Sequence, residues 1–172
     1  MIDQAVLKEV VFYTRKEALK KGYEITFSVA GRSMLPILQR NDKILVAKCG
    51  IRDLKIGDII LHNLNKFGND ICVAHRLVKI EYQNSKAILI TKGDSRFNYD
   101  RPVGENAFLG KVIRITKRNL TFRIDTYFWA LINLSILFFS MSMVIPASVY
   151  IIRKMRHLGY KNGPHNKIQF RL

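Results

Sequence analysis

The sequence predicts a mainly β fold: a small β-barrel or folded sheet, with a short N-terminal helix before it and a C-terminal transmembrane helix after it. Three observations lead there. Between residues 24 and 125, short alternating apolar stretches are divided by turn dipeptides at close spacing. That region lacks the regular strand–helix–strand alternation that builds parallel sheets. Beyond it, residues 126–152 form an uncharged run of 27 residues.

Residues 3–21 read as a helix. Ala5, Val6, Val10, Tyr13 and Leu19 fall near one side, with Lys8, Glu9, Arg15 and Lys16 mostly elsewhere. Gly22 closes it as a C-cap glycine does. Glu24–Val29 alternates as a strand. Asn41-Asp42 is a turn before the strand Lys43–Ala47, and Gly57-Asp58 a turn before Ile59–His62. Ile71–Ile80 is the longest alternating stretch, followed by Ala87–Thr91, Leu109–Thr116 and Leu120–Ile124. The chain therefore divides into an N-terminal amphipathic helix (1–23), a β domain (24–125), the apolar span (126–152) and a basic tail (153–172).

As a helix, the span would reach about 40 Å, against a hydrocarbon core of about 30 Å. Tyr127, Phe128 and Trp129 at one end, and Arg153, Lys154 and Arg156 at the other, are the expected interfacial anchors. Pro146 would kink the helix or turn it into a hairpin. Charged residues interrupt residues 1–22, so no signal peptide is expected there. The lipid bilayer is thus one expected partner.

The net charge of +16 is unevenly placed. Residues 1–125 hold 23 Lys/Arg and all 13 Asp/Glu, a balance of +10, while the last twenty hold six Lys/Arg and no acid. Such charge suits anionic lipid or nucleic acid. The cations are scattered along the strands without a nucleic-acid motif, so no nucleic-acid partner is expected. Cys49 and Cys72 make no disulfide framework, Cys72 reading as a buried thiol. With no CxxC and no His/Cys cluster, neither a metal nor a cofactor is expected.

Three separated islands carry the chemistry. Gly31-Arg32-Ser33-Met34-Leu35-Pro36 holds a serine in a turn constrained by glycine and proline. Such a turn can present a hydroxyl and aim backbone N–H groups at one point. Val73-Ala74-His75-Arg76-Leu77-Val78 places a histidine on the long strand, sharing a face with Ile71, Val73 and Leu77. An imidazole with the ordinary pKa of about 6.5 is mostly neutral near pH 7 and can accept a proton. Thr91-Lys92-Gly93-Asp94, with Asp100 six residues on, puts two carboxylates in one loop. One could orient the imidazole while the other pairs with Arg76, Arg96 or Arg101. Each island alone has an ordinary structural reading: a Ser turn, a packed histidine, acids capping a loop. His62 is a weaker rival base, and His157 and His165 lie in the basic tail.

In this order the islands resemble the signal peptidase I superfamily, in its serine–histidine branch. The matching positions are Ser33, Met34 and Pro36; Ile56-Gly57-Asp58-Ile59-Ile60; Ala74-His75-Arg76-Leu77-Val78; and Thr91-Lys92-Gly93-Asp94 with Asp100, followed by Pro102-Val103 and Gly110-Lys111-Val112. The match covers about residues 24–115. It implies a mainly β peptidase domain over residues 24–125, with Ser33 as nucleophile, His75 as general base, Asp100 as the orienting acid and Asp94 in support. It also implies that the Ser33 N–H contributes to an oxyanion hole. Lys92 is the position through which the superfamily's lysine-base branch would enter. The familiar members carry their anchor before the serine box, whereas here the apolar span follows it. Arg32 and Leu35 stand where a small and an acidic residue are usual.

The resemblance implies a membrane-anchored serine endopeptidase acting on precursor proteins that bear a signal or leader sequence. The basic tail favours a cytoplasmic C-terminus and a single crossing of the cell membrane, with the catalytic domain outside. A hairpin would instead leave both ends cytoplasmic and suit a leader peptidase for a peptide precursor. From other classes, a basic membrane-tethered binding module would use the charge without hydrolysis. A self-cleaving regulator would need a DNA-binding domain, for which the roughly 22 residues before the strands are too few.

Overall fold

The computed structural model describes residues 4–66 and 69–161. It contains helix α1 (Gln4–Lys20), strands β1 (Ile25–Ser28), β2 (Lys43–Ala47), β3 (Ile59–Lys66), β4 (Asn69–Gln83), β5 (Lys86–Lys92), β6 (Val103–Gly104), β7 (Phe108–Lys117) and β8 (Leu120–Arg123), then helices α2 (Tyr127–Met141) and α3 (Val144–Lys161). Of the basic tail, residues 162–172, with His165, lie outside the described residues.

All the strand pairings are antiparallel. The sheet runs β1-β2-β7-β3-β4-β5-β6, with β8 on β7, an open folded sheet rather than a closed barrel. Alternation along β3 sends its side chains to two cores. Ile59 and Leu61 join Leu19, Met34, Leu38, Ile44, Val46, Val112 and Ile115 on one face. Ile60 joins Leu54, Leu77, Leu89 and Val103 on the other. Gly22, at φ +94°, ends α1 as expected. The C-terminal end of α1 docks through Leu19, which is fully buried, while Val10 and Tyr13 are exposed.

The apolar run is not one helix. α2 and α3 meet at 67°, with the break at Ser142 and Met143. No single helix among the described residues is long and apolar enough to cross a membrane, and the bent pair qualifies only jointly, by length and composition. The break falls before Pro146, which sits in the first turn of α3, where its missing N–H costs no helical bond. One stripe of α2 faces the sheet domain: Asn133, Leu137 and Ser140 are buried. On its opposite side Leu131, Leu134 and Phe138 are exposed.

Candidate active site

Ser33 follows β1 in a tight loop, and the loop after β5 closes against it. The Ser95 N–H donates to the Ser33 carbonyl at 2.8 Å. The Ser95 hydroxyl donates to the Arg32 carbonyl at 2.8 Å and approaches the Ser33 carbonyl at 3.0 Å. Gly93 makes this closure possible. A Cβ there would stand 2.8 Å from the Ser33 carbonyl oxygen and 3.0 Å from Ser33 Cβ. The glycine of the third island is therefore a packing requirement of the first.

His75 reaches the same point from β4, opposite Ile60 of β3. Its Nε2 lies 2.7 Å from Ser33 Oγ, and its Nδ1 lies 2.5 Å from Asp100 Oδ2. Asp100 is set by two further bonds: its N–H donates to the Thr91 carbonyl at 2.8 Å, and Thr91 Oγ1 donates to Oδ2 at 2.8 Å. Burial pushes the Asp100 pKa up, but the hydrogen bond and charge of His75, with the Thr91 hydroxyl, outweigh it and hold the carboxyl below the ordinary value. An ionised carboxylate can only accept, so Nδ1 carries the ring proton. Nε2 is then free to accept from the Ser33 hydroxyl. The three side chains form one directed chain of hydrogen bonds.

Asp94 sits elsewhere. Both its oxygens accept from Arg76, Nε to Oδ1 and Nη2 to Oδ2, each at 2.7 Å, and both side chains are fully buried. Arg76 Nη1 also donates to the Gly57 carbonyl at 2.7 Å and to Asn133 Oδ1 at 2.8 Å. Gly57 itself, at φ +96°, adopts a turn that a side chain would strain. Lys92 also points away from Ser33: its Nζ donates to the Ser140 carbonyl and hydroxyl at 2.8 Å. Burial lowers the Lys92 pKa, against the raising effect of Asp94 and Asp100. Arg76 and Lys92 thus bind α2 to the site's underside.

His62 is a neighbour that sequence reasoning set aside. Its ring stands edge-on to His75, with centroids 6.4 Å apart, and is nearly fully buried. Burial lowers its pKa, as does the charge of His75, against the Asn63 carbonyl and Asp100. The pairing of Ile60 with His75 across β3 and β4 puts His62 two residues further along the same face. His62, His75 and Asp100 offer ligand atoms within 4.8 Å of one another, the group among the described residues that could hold a metal ion. Two of its three members already serve the hydrogen-bonded chain to Ser33.

Ser33 and His75 open onto a cleft of about 890 Å³, walled by Leu64, Ile71 and Val73 of the sheet, the 95–101 loop and one side of α3. A smaller pocket of about 200 Å³ also borders Ser33, lined by Val29, Ala30, Met34, Cys72 and Ala74 among others. Among the described residues, the strand pairing of 69–75 of β4 is with β3, and β5 joins β4 only from Arg76 onward.

No protein-family model matches the chain. It is similar to the signal peptidase complex catalytic subunits of Candida tropicalis, at 34% identity over 67 residues (39% of each chain), and of Sclerotinia sclerotiorum, at 37% over 68 residues (39% of this chain, 38% of the relative). The corresponding subunit of Scheffersomyces stipitis matches at 34% over 67 residues, 39% of each chain. The chain thus spans about two-fifths of the length of the curated relatives it matches. It is to the signal peptidase I superfamily, through the segment shared with these subunits, that the chain is related.

Proposed function

We propose that the protein is a membrane-anchored serine endopeptidase that removes signal or leader peptides from precursor proteins. The observation that carries this reading is the unbroken contact Ser33 Oγ–His75 Nε2, His75 Nδ1–Asp100 Oδ2. Ser33 Oγ attacks the scissile carbonyl as its proton passes to His75 Nε2, and Asp100 stabilises the imidazolium. His75 then protonates the leaving amine, and a water attacks the acyl-enzyme with His75 again as base. Among the described residues no hydrogen bond takes up the Ser33 N–H, which supports its role as an oxyanion donor. The edge of β4 ahead of its pairing with β5 suits a substrate docked as an extended strand. The pocket of about 200 Å³ beside Ser33 suits a small side chain next to the cleaved bond.

Cleavage of a precursor by the purified full chain tests the reading. Ser33→Ala and His75→Ala are each expected to lose about 10⁴–10⁶-fold in kcat, as removal of a triad member does. Retained cleavage in either variant would sink it. The bent helix pair favours a second reading of the topology, in which both ends stay cytoplasmic and the substrate is a cytoplasmic leader peptide. A membrane-impermeant thiol reagent applied to intact cells, with a cysteine placed at an exposed position of the sheet domain such as Arg52→Cys, separates the two: labelling is expected only if that domain lies outside.

A further inference from the structure

The cleft beside Ser33 has a one-sided charge. Arg96, Arg101 and Arg153 line it, all exposed. Arg32, exposed and next to the nucleophile in sequence, is a fourth arginine, and Arg153 Nη2 donates to its backbone carbonyl at 3.4 Å. Among the described residues Asp100 is the one carboxylate in the lining, and it is committed to His75 and Thr91. None of the four arginines joins an ion pair among the described residues. Elsewhere basic residues do find acids: Lys20 with Glu17, Lys79 with Glu81, Lys111 with Asp58, Arg123 with Asp125. A net charge of +16 makes exposed arginines common. It does not explain why the mouth of the site gathers three whose only acidic neighbour in the lining is already taken. Phe97, Tyr99 and Tyr150 alternate with them along the same wall, offering flat apolar surface beside the cations.

We infer that this cleft selects substrate peptides carrying Asp or Glu close to the scissile bond, the acids pairing with Arg96, Arg101 and Arg153 while an extended segment lies along the cleft. The inference rests on the proposed peptidase reading and names its substrate class. Guanidinium groups suit carboxylates because their planar forks bind them bidentately. An anionic bilayer is the less favoured occupant. The arginines share a lining with Ser33 and His75, whereas the exposed Leu131, Leu134 and Phe138 of α2 are no part of it.

The test uses the full chain in a non-ionic detergent and three peptides of equal length around one small-residue cleavage centre. Their flanks carry Glu, Gln or Lys. Each exposed ion pair shifts an equilibrium by only about 1.5–5-fold, so several together are expected to give the Glu peptide about a tenfold higher kcat/KM than the Gln peptide. The Lys peptide should fall below both, and the spread should shrink in about 0.5 M salt. The double variant Arg96→Glu/Arg153→Glu should invert the order, favouring Lys over Glu. Arg52→Glu, an exposed site outside the cleft lining, should keep the wild-type order.

Equal cleavage of the Glu and Gln peptides would overturn the inference and leave the peptidase reading standing. So would an Arg52→Glu effect as large as that of the cleft variants, which would reduce the preference to net charge. Loss of binding to phosphatidylglycerol vesicles in the cleft variants, with the peptide order unchanged, would assign the arginines to the membrane and overturn it too. If the wild type cleaves no peptide, the peptidase reading fails. Anisotropy of the same three peptides, fluorescently labelled, on full-length Ser33→Ala still decides the charge preference. Circular dichroism melting of each variant separates misfolding from altered selection.

Discussion

Asp94 and Asp100 lie six residues apart in the loop that follows β5, yet they serve different parts of the molecule. Asp94 is fully buried and bidentate on Arg76, which in turn holds Gly57 and Asn133. Asp100 keeps about a quarter of its side chain exposed and bonds His75 and Thr91 at the rim of the cleft. The same chemical group thus holds a helix at one end of the loop and, at the other, bonds the imidazole that reaches Ser33. Partner and burial set the role. Proximity in sequence does not.

That contrast can be broken at either end. On the proposed mechanism Asp100→Asn should have the largest effect: about 10³–10⁴-fold lower kcat, because the amide no longer fixes the proton on Nδ1, with little change in Tm. Single-turnover cleavage and a thermal melt on the same preparation check it, and a loss of stability matching the loss of activity would erase the contrast. Asp94→Asn should do the reverse. It leaves the Arg76 guanidinium buried without its counter-charge, at a cost of about 3–5 kcal/mol in unfolding free energy. Denaturant unfolding measures this. An unchanged midpoint would show that the pair contributes no more than a surface bridge.

The smallest effect concerns pH. Burial depresses the folded-state pKa of His62, so below the ordinary histidine value of about 6.5 the unfolded chain binds more protons than the folded one. Stability then rises with pH across the window beneath 6.5 and is lost as pH falls through it. The depressed Asp100 pKa adds a second loss at lower pH: its contribution is present above the ordinary carboxylate value and disappears as pH falls through the folded one. His62→Gln should flatten the first limb and leave the second. An unaltered profile would mean that His62 is not the titrating group.

Much of this was legible in the sequence where local signals are strong. Lys43–Ala47 is a strand with the bounds its turn and alternation imply. Ser33, His75 and Asp100 come together from three segments that the sequence had marked. Val103–Gly104 is a two-residue strand, too short for any period to register. The ends of Arg76 and Lys92 were out of reach for another reason. Their partners Asn133 and Ser140 lie 57 and 48 residues away, inside a run whose uniform apolarity reads as lipid-facing. Pro146 announced a kink or hairpin in the apolar run, and the break falls three residues before it, at Met143, where φ is +63°.

Asn133 and Ser140 make α2 a strut rather than a tether. A flexible leash would let the catalytic groups sample many heights above a bilayer. On the proposed membrane-anchored reading, a helix fastened at two buried cations would fix one height and one tilt. Where the cleft opens, and how far along an emerging chain its serine can reach, would then be set by two hydrogen-bonded side chains as a rigid ruler, so that loosening Asn133 should blur the reach.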